Sequence, residues 1–180
     1  MGIHFGNGTA ELTGYVDADW ASSVDDRRSY TGYAFALAGG PVSWESKKQR
    51  TIALSSTEAE YMALSEACRE AIHLRKLITD LNVKPQSVIE NFNDNLGAKK
   101  LAENPIFHSR TKHIQVRHHF VREAIKVGDV KLSYMPTDKM PADVLTKVLA
   151  KIKHWRCLHS LGVSEINPEF NTTVGHLGPV

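Results

Sequence analysis

Acidic residues in this chain of 180 residues recur where structural elements are expected to begin or end. Asp17 and Asp19 close a strand, Glu58 and Glu60 open a long helix, Asp94 follows another strand, and Asp143 lies on a late helix. Each has an ordinary structural reading. An Asp at a strand end is often a turn residue, and a Glu in a first helical turn favours the helix dipole. Together they suggest other chemistry. If the first and fourth strands are parallel neighbours, Asp17 and Asp94 meet at the carboxyl edge of a sheet, where sites of open α/β sheets form. A helix packed on the sheet can add one Glu, and the last helix can add Asp143. Four such carboxylates raise one another's pKa unless cations neutralise them. An all-oxygen donor set suits Mg²⁺ or Mn²⁺ rather than zinc. Two such ions about 3.5–4 Å apart would support in-line displacement at a phosphodiester.

Basic residues form three clusters. Residues 108–126 carry Arg110, Lys112, Arg117, Arg122 and Lys126 against Glu123 alone; Lys47, Lys48 and Arg50 form a second cluster, and Lys99-Lys100 a third. They read either as solvated faces or as a path for a phosphate backbone, whose contacts position a nucleic acid. Trp20 or Tyr30 could meet sugars, whereas Trp44 reads as core. The nine His invite a zinc reading. Neither His154, Cys157 and His159 nor His108, His113, His118 and His119 have a CxxC partner or HExxH spacing, so zinc is not expected.

The elements that must position these groups follow from periodicity. Leu12 to Asp19, Tyr30 to Leu37, a segment from Val42, Val88 to Asn93, and Val130 to Met135 read as five strands. A helix from about Thr57 to Leu81 carries Tyr61, Leu64, Cys68, Ala71, Leu74 and Ile78 at three- and four-residue spacing. Thr57 and Glu60 would supply its capping box. Further helices are expected at 96–103, 111–127, 138–149 and 153–161. Three short-connected strands followed by strand–helix units imply a mixed α/β sheet, an antiparallel meander with two parallel additions flanked by helices.

Composition agrees with one such domain. Hydrophobic residues are 42% and charged residues 23%, which excludes wholesale disorder. No apolar run approaches 18 residues, so no membrane partner is expected. Two Cys cannot build a disulfide framework. The net charge of +2, from 22 Lys+Arg and 20 Asp+Glu, does not decide for or against a polyanionic partner. Residues 1–11 read as a lead-in, 12–162 as the domain, and 163–180 as an irregular tail.

Several blocks resemble one family in order and in wording. Gly14-Tyr15-Val16-Asp17-Ala18-Asp19-Trp20-Ala21, Trp44-Glu45-Ser46-Lys47-Lys48-Gln49, Ser55-Ser56-Thr57-Glu58-Ala59-Glu60-Tyr61, Asp94-Asn95, His108-Ser109-Arg110-Thr111-Lys112-His113-Ile114 and Ala142-Asp143-Val144-Leu145-Thr146-Lys147 are similar to the ribonuclease H domain of copia-type retrotransposon polyproteins. The resemblance implies a ribonuclease H fold, hydrolysis of the RNA strand of RNA–DNA hybrids during reverse transcription, and two Mg²⁺ ions, with Mn²⁺ as a substitute. Matched by motif, the metal ligands and catalytic residues are Asp17, Glu60, Asp94 and Asp143. Glu58 and Glu60 lie about 200° apart around the helix, so only one faces the site. Glu60 shares the buried side with Leu64, and Glu58 suits the helix cap. Asp19 shares a strand face with Asp17 and reads as a supporting group.

The same resemblance favours reading the basic clusters, through Lys47, Lys48, Arg50, Arg110, Lys112 and Arg117, as nucleic-acid contacts rather than solvated faces. It implies a reverse transcriptase domain in the same polyprotein and a cytoplasmic virus-like particle, or the nucleus, as the setting. There are departures. The loop Met135 to Pro141 lacks the His that cellular ribonucleases H often carry, Gln115 and Pro141 replace other residues, and Val88 to Asn93 is polar for a central strand. These favour, as the alternative, an inactive or domesticated domain that binds nucleic acid. An integrase-type nuclease is disfavoured, because its Glu lies on a late helix, where Asp143 stands here.

Overall fold

The computed structural model describes residues 1–3, 5–6, 11–82, 88–103 and 112–165, with 112–114 described as helical backbone. Arg110, most of the 108–114 block and residues 166–180 lie outside the described residues. The strands are β1 (Gly2–Ile3), β2 (Thr13–Asp19), β3 (Tyr30–Leu37), β4 (Gly40–Lys48), β5 (Ile89–Asn93), β6 (Val130–Tyr134) and β7 (Val163–Ser164). The helices are α1 (Ser56–Asp80), α2 (Leu96–Glu103), α3 (Lys112–Val127), α4 (Asp143–Thr146) and α5 (Lys151–Ser160).

Five strands form the main sheet in the order β4–β3–β2–β5–β6. β2 pairs antiparallel with β3, and β3 with β4, while β5 runs parallel to both β2 and β6. This is the mixed α/β sheet expected from the sequence. The β2–β5 register ends with Val16 opposite Asn93. Asp17 and Asp94 are therefore the next residues on adjacent parallel strands. A second, two-stranded sheet joins β1 to β7, so regular pairing extends two residues past the boundary drawn at 162.

α1 is capped two residues earlier than its pattern suggests. Ser55 is the N-cap, and its Oγ accepts from the Glu58 N–H at 3.1 Å. The Glu58 carboxylate accepts from the Leu54 N–H at 2.9 Å. Ser55 and Glu58, not Thr57 and Glu60, thus form the capping pair, which leaves Glu60 free to face inward. Ala59, Ala63, Ala67 and Ala71 are all fully buried and four residues apart. That small-residue stripe lets α1 lie close to the sheet, and the core forms between them with Val16, Phe35, Leu64 and Ile89. α3 packs against α1, where the Tyr61 and His118 rings stack with centroids 4.0 Å apart.

The single helix expected over 138–149 is instead divided. A 3₁₀ turn spans Thr137–Lys139, Met140 is extended at φ −71° and ψ 108°, and α4 occupies only four residues. The cause is Pro141, which disfavours the helical region for the residue before it. α4 packs on the sheet face opposite α1. Thr31 meets α1 through Gln49, which donates to both Thr31 Oγ1 and the Ala59 carbonyl, so Gly32 faces the other way. α4 reaches Ser46, whose hydroxyl donates to the Leu145 carbonyl. It does not cover Trp44 on the same face of the edge strand. Trp44 is 56% exposed and not a core residue, a correction to the sequence expectation.

Gly32 lies directly opposite Asp17. A Cβ there would fall 2.6 Å from Thr146 Cγ2 and 2.8 Å from Leu145 Cβ. The missing side chain is what allows α4 to sit against β3. Gly32→Ala is expected to lower stability by about 1–3 kcal/mol, the usual cost of overpacking. It should also weaken divalent-cation binding by moving Asp143 outward. Urea midpoints and metal titrations check this; unchanged values for both would contradict the packing argument.

Candidate metal centre

β2 carries Asp17 into the interior at the end of the sheet, α1 brings Glu60 from just past its first turn, and Asp94 follows β5. One carboxylate oxygen from each lies within 4.8 Å of the others. Asp17 is fully buried, Glu60 is 6% exposed, and Asp94 is half-buried. Asn93 organises the junction. Its Nδ2 donates to Glu60 Oε2 at 3.0 Å and to the Val16 carbonyl at 3.2 Å, tying α1 to β2. Its Oδ1 accepts from the Asn95 N–H at 2.9 Å, and Asn95 Oδ1 in turn accepts from the Ala98 N–H at 2.9 Å, capping α2.

Asp143, also fully buried, joins this group through cations rather than directly. Lys147 Nζ is 2.8 Å from Asp17 Oδ1 and 2.7 Å from Asp143 Oδ1. Lys153 pairs with the other Asp143 oxygen, and the Thr146 hydroxyl donates to Asp17. Asp19 ends β2 half-buried and is not part of the three-carboxylate group. The sequence pattern assigned no role to Asn93, Thr146, Lys147 or Lys153. One signal was present: Asp143 and Lys147 are four apart, a helical ion-pair spacing.

The electrostatics follow from burial and crowding. Burial raises the Asp17 pKa, Lys147 and Thr146 pull it back, and Asp143 adds a further upward push. Glu60 is held well above the ordinary carboxylate range by burial, then by the charges of Asp17 and Asp94. Asn93 and Lys147 only partly offset this. Burial alone would lower the Lys147 pKa, but Asp17 and Asp143 outweigh it and raise it. Three converging carboxylates, two of them with raised pKa values and Glu60 the more so, fit a hard divalent cation, which would favour the charged forms.

Two basic clusters separated in sequence meet in a groove of about 260 Å³. Lys47, Lys48, Arg50 and Arg117 all line it, together with Arg69 and Glu66. Lys47 pairs with Glu45 at 3.0 Å, Lys48 with Asp26 at 3.2 Å, and Arg117 with Glu66 at 2.7 Å. Gln49, also in its wall, reaches the Ala59 carbonyl, one residue from Glu60. Of the Lys112 side chain nothing is described.

No family model matches the chain. The retrovirus-related Pol polyprotein from transposon TNT 1-94 of Nicotiana tabacum is 40% identical over 159 residues, 88% of this chain and 12% of the polyprotein. That from transposon RE2 of Arabidopsis thaliana is 38% identical over 160 residues, 89% of this chain and 11% of its own length. The chain belongs with the copia-type Pol polyproteins. It spans about one-eighth of the length of these relatives. LC11-RNase H1, solved in complex with RNA/DNA hybrid, superposes with a TM-score of 0.52 at 15% identity, covering 76% of this chain and 94% of that one. The fold of this Pol segment is that of the ribonucleases H.

The raised carboxylates give the metal-free segment a defined pH dependence. Folding raises the Asp17 and Glu60 values above their unfolded ones, so folding favours the protonated forms. Their effect is least unfavourable below the unfolded value of about 4 and worsens as pH rises through the folded values. Glu60→Gln is therefore expected to raise the metal-free Tm at pH 8 and to flatten its dependence between pH 5 and 8. Each kcal/mol should appear as about 2–4 °C. Calorimetric scans check this, and a Tm lowered at pH 8 would contradict the assignment.

Proposed function

We propose that this chain is a divalent-cation-dependent endoribonuclease that hydrolyses the RNA strand of RNA–DNA hybrids, leaving a 3′-hydroxyl and a 5′-phosphate. The observation that carries this reading is the convergence of Asp17, Glu60 and Asp94 at the carboxyl edge of the sheet, with Asp143 one ammonium group away. These four would hold Mg²⁺ or Mn²⁺, which when bound supplies a Lewis acid and an acidified water for phosphodiester cleavage. The chain's own work is positional. Asn93 fixes Glu60 against β2, and the Thr146 hydroxyl orients Asp17. Gly32 lets α4 bring Asp143 near Asp17.

The groove lined by Lys47, Lys48, Arg50 and Arg117 supports contact with the phosphate backbone. Such contacts set register without reading sequence. A hybrid would be recognised by shape and by its 2′-hydroxyls across a wide minor groove. The hybrid in the LC11-RNase H1 complex supports this substrate class. The Pol relatives support a polyprotein context; to it we add a setting in reverse transcription, beside a reverse transcriptase domain of the same polyprotein, in a cytoplasmic virus-like particle or the nucleus. A second reading, a hybrid-binding domain without turnover, draws on the two ammonium groups that already neutralise Asp17 and Asp143.

A cleavage assay separates the two. The wild-type chain with Mg²⁺ is expected to cut a hybrid and to leave duplex DNA and duplex RNA intact. Asp94→Asn should slow cleavage by more than about 100-fold, the loss of roughly 3 kcal/mol of transition-state stabilisation, with its thermal melt preserved. Hybrid binding without turnover would favour the second reading. Cleavage that survives Asp94→Asn would show that the site is elsewhere.

A further inference from the structure

The Asp143 side of the centre is already filled by cations of the chain itself. Lys147 Nζ bridges one oxygen each of Asp17 and Asp143 at 2.8 and 2.7 Å, and Lys153 takes the second Asp143 oxygen. Both Asp143 oxygens are thus engaged, and Asp17 gives one oxygen to Lys147 and the other to Thr146. Glu60 and Asp94 have no such ammonium partner described. The two halves therefore differ: Glu60 and Asp94 gather beside Asp17 with no ammonium group described on either, and the Asp17–Asp143 half is internally neutralised.

We propose that Lys147, supported by Lys153, is an internal counter-ion that competes with divalent cations for the Asp17–Asp143 half of the centre. The proposal rests on the metal-centre reading above. A cation drawing on Asp17, Glu60 and Asp94 displaces no ammonium group from Glu60 or Asp94. A cation that draws on both Asp17 and Asp143 must replace the Lys147 bridge. Like charges at that separation repel strongly in a partly buried site, so ammonium and divalent cation cannot share it. The lysine keeps the metal-free fold from bearing an unbalanced pair of buried carboxylates. It also makes loading stepwise: the Asp17–Glu60–Asp94 half fills first, and the Asp143 half fills only when Lys147 swings outward. The stem of Lys147 is long enough and exposed enough to move, with about a quarter of the side chain reached by solvent.

The test is Mn²⁺ binding by titration calorimetry, with Mn²⁺ electron paramagnetic resonance as a second count of bound ions. The wild-type chain is expected to bind one Mn²⁺ more tightly than a second. Lys147→Met should tighten the weaker step about tenfold, equivalent to about 1.4 kcal/mol. Lys153→Met should tighten it less, and Lys147→Arg should retain the wild-type weakness. Thermal melts give an independent reading: Lys147→Met should melt below wild type without metal and at or above it in saturating Mn²⁺. A lysine with a merely structural role would leave that deficit in place. Unchanged or weaker Mn²⁺ binding by Lys147→Met, with wild type binding normally, overturns the proposal alone. A wild-type chain that binds no Mn²⁺ overturns the metal-centre reading and the proposal with it.

Discussion

Burying like charges next to one another is the constraint on which the rest of this structure depends. Asp17 and Asp143 are fully buried and Glu60 nearly so, in one small region of a domain otherwise stabilised by apolar packing. An unpaired buried carboxylate is costly, and neighbouring ones raise the cost further. The structure answers in three ways. Lys147 and Lys153 neutralise, Asn93 and Thr146 donate hydrogen bonds, and Glu60 is pushed toward its neutral form. Such an arrangement stabilises a fold poorly, because replacing buried ionic groups by apolar ones is often neutral or better. Its assembly from separate parts of the chain is intelligible as a cation site.

The surrounding fold is shaped by what that cluster requires. Parallel pairing of β2 with β5 places Asp17 and Asp94 on adjacent strands at one sheet edge. The capping pair Ser55 and Glu58 starts α1 so that Glu60 turns inward, and the alanine stripe brings the helix close enough for it to reach. On the opposite face, the bare backbone of Gly32 admits α4. The polar character of β5 also has its reason here. Asn93 serves the site, Glu90 pairs across the strand with Lys131 and Ser133, and Asn91 packs where Gly14 leaves room for it. What read as a departure from a central strand is in part the support of the centre.

Much of this was legible in the residues. Hydrophobic periodicity located the five strands of the main sheet and the long helix, because burial on one face leaves a period of 2 or 3.6. Helical geometry separated Glu60 from Glu58, whereas strand parity put Asp17 and Asp19 on one face and the family motif chose between them. The misses share a cause: they depend on contacts between elements. Pro141 divides the last helical stretch, but α4's shortness decides that Trp44 stays exposed, and no local pattern shows which strand face a distant helix covers. Lys147 and Lys153 look like any surface lysines in sequence. Their role appears only when α4 and α5 bring them to Asp17 and Asp143. The basic groove is similar, since Arg117 joins Lys47, Lys48 and Arg50 only through the packing of α3 on α1.

The central claim is that the buried carboxylates form a divalent-cation centre, and the most direct test is where such a cation goes. Crystals soaked in Mn²⁺ and measured for anomalous scattering would locate it without reference to activity. The account predicts a peak within ligand distance, about 2.0–2.6 Å, of oxygens from Asp17, Glu60 and Asp94. A crystal saturated with Mn²⁺ whose peaks lie only on exposed acidic residues, with the Asp17–Glu60–Asp94 cluster unchanged, would contradict it.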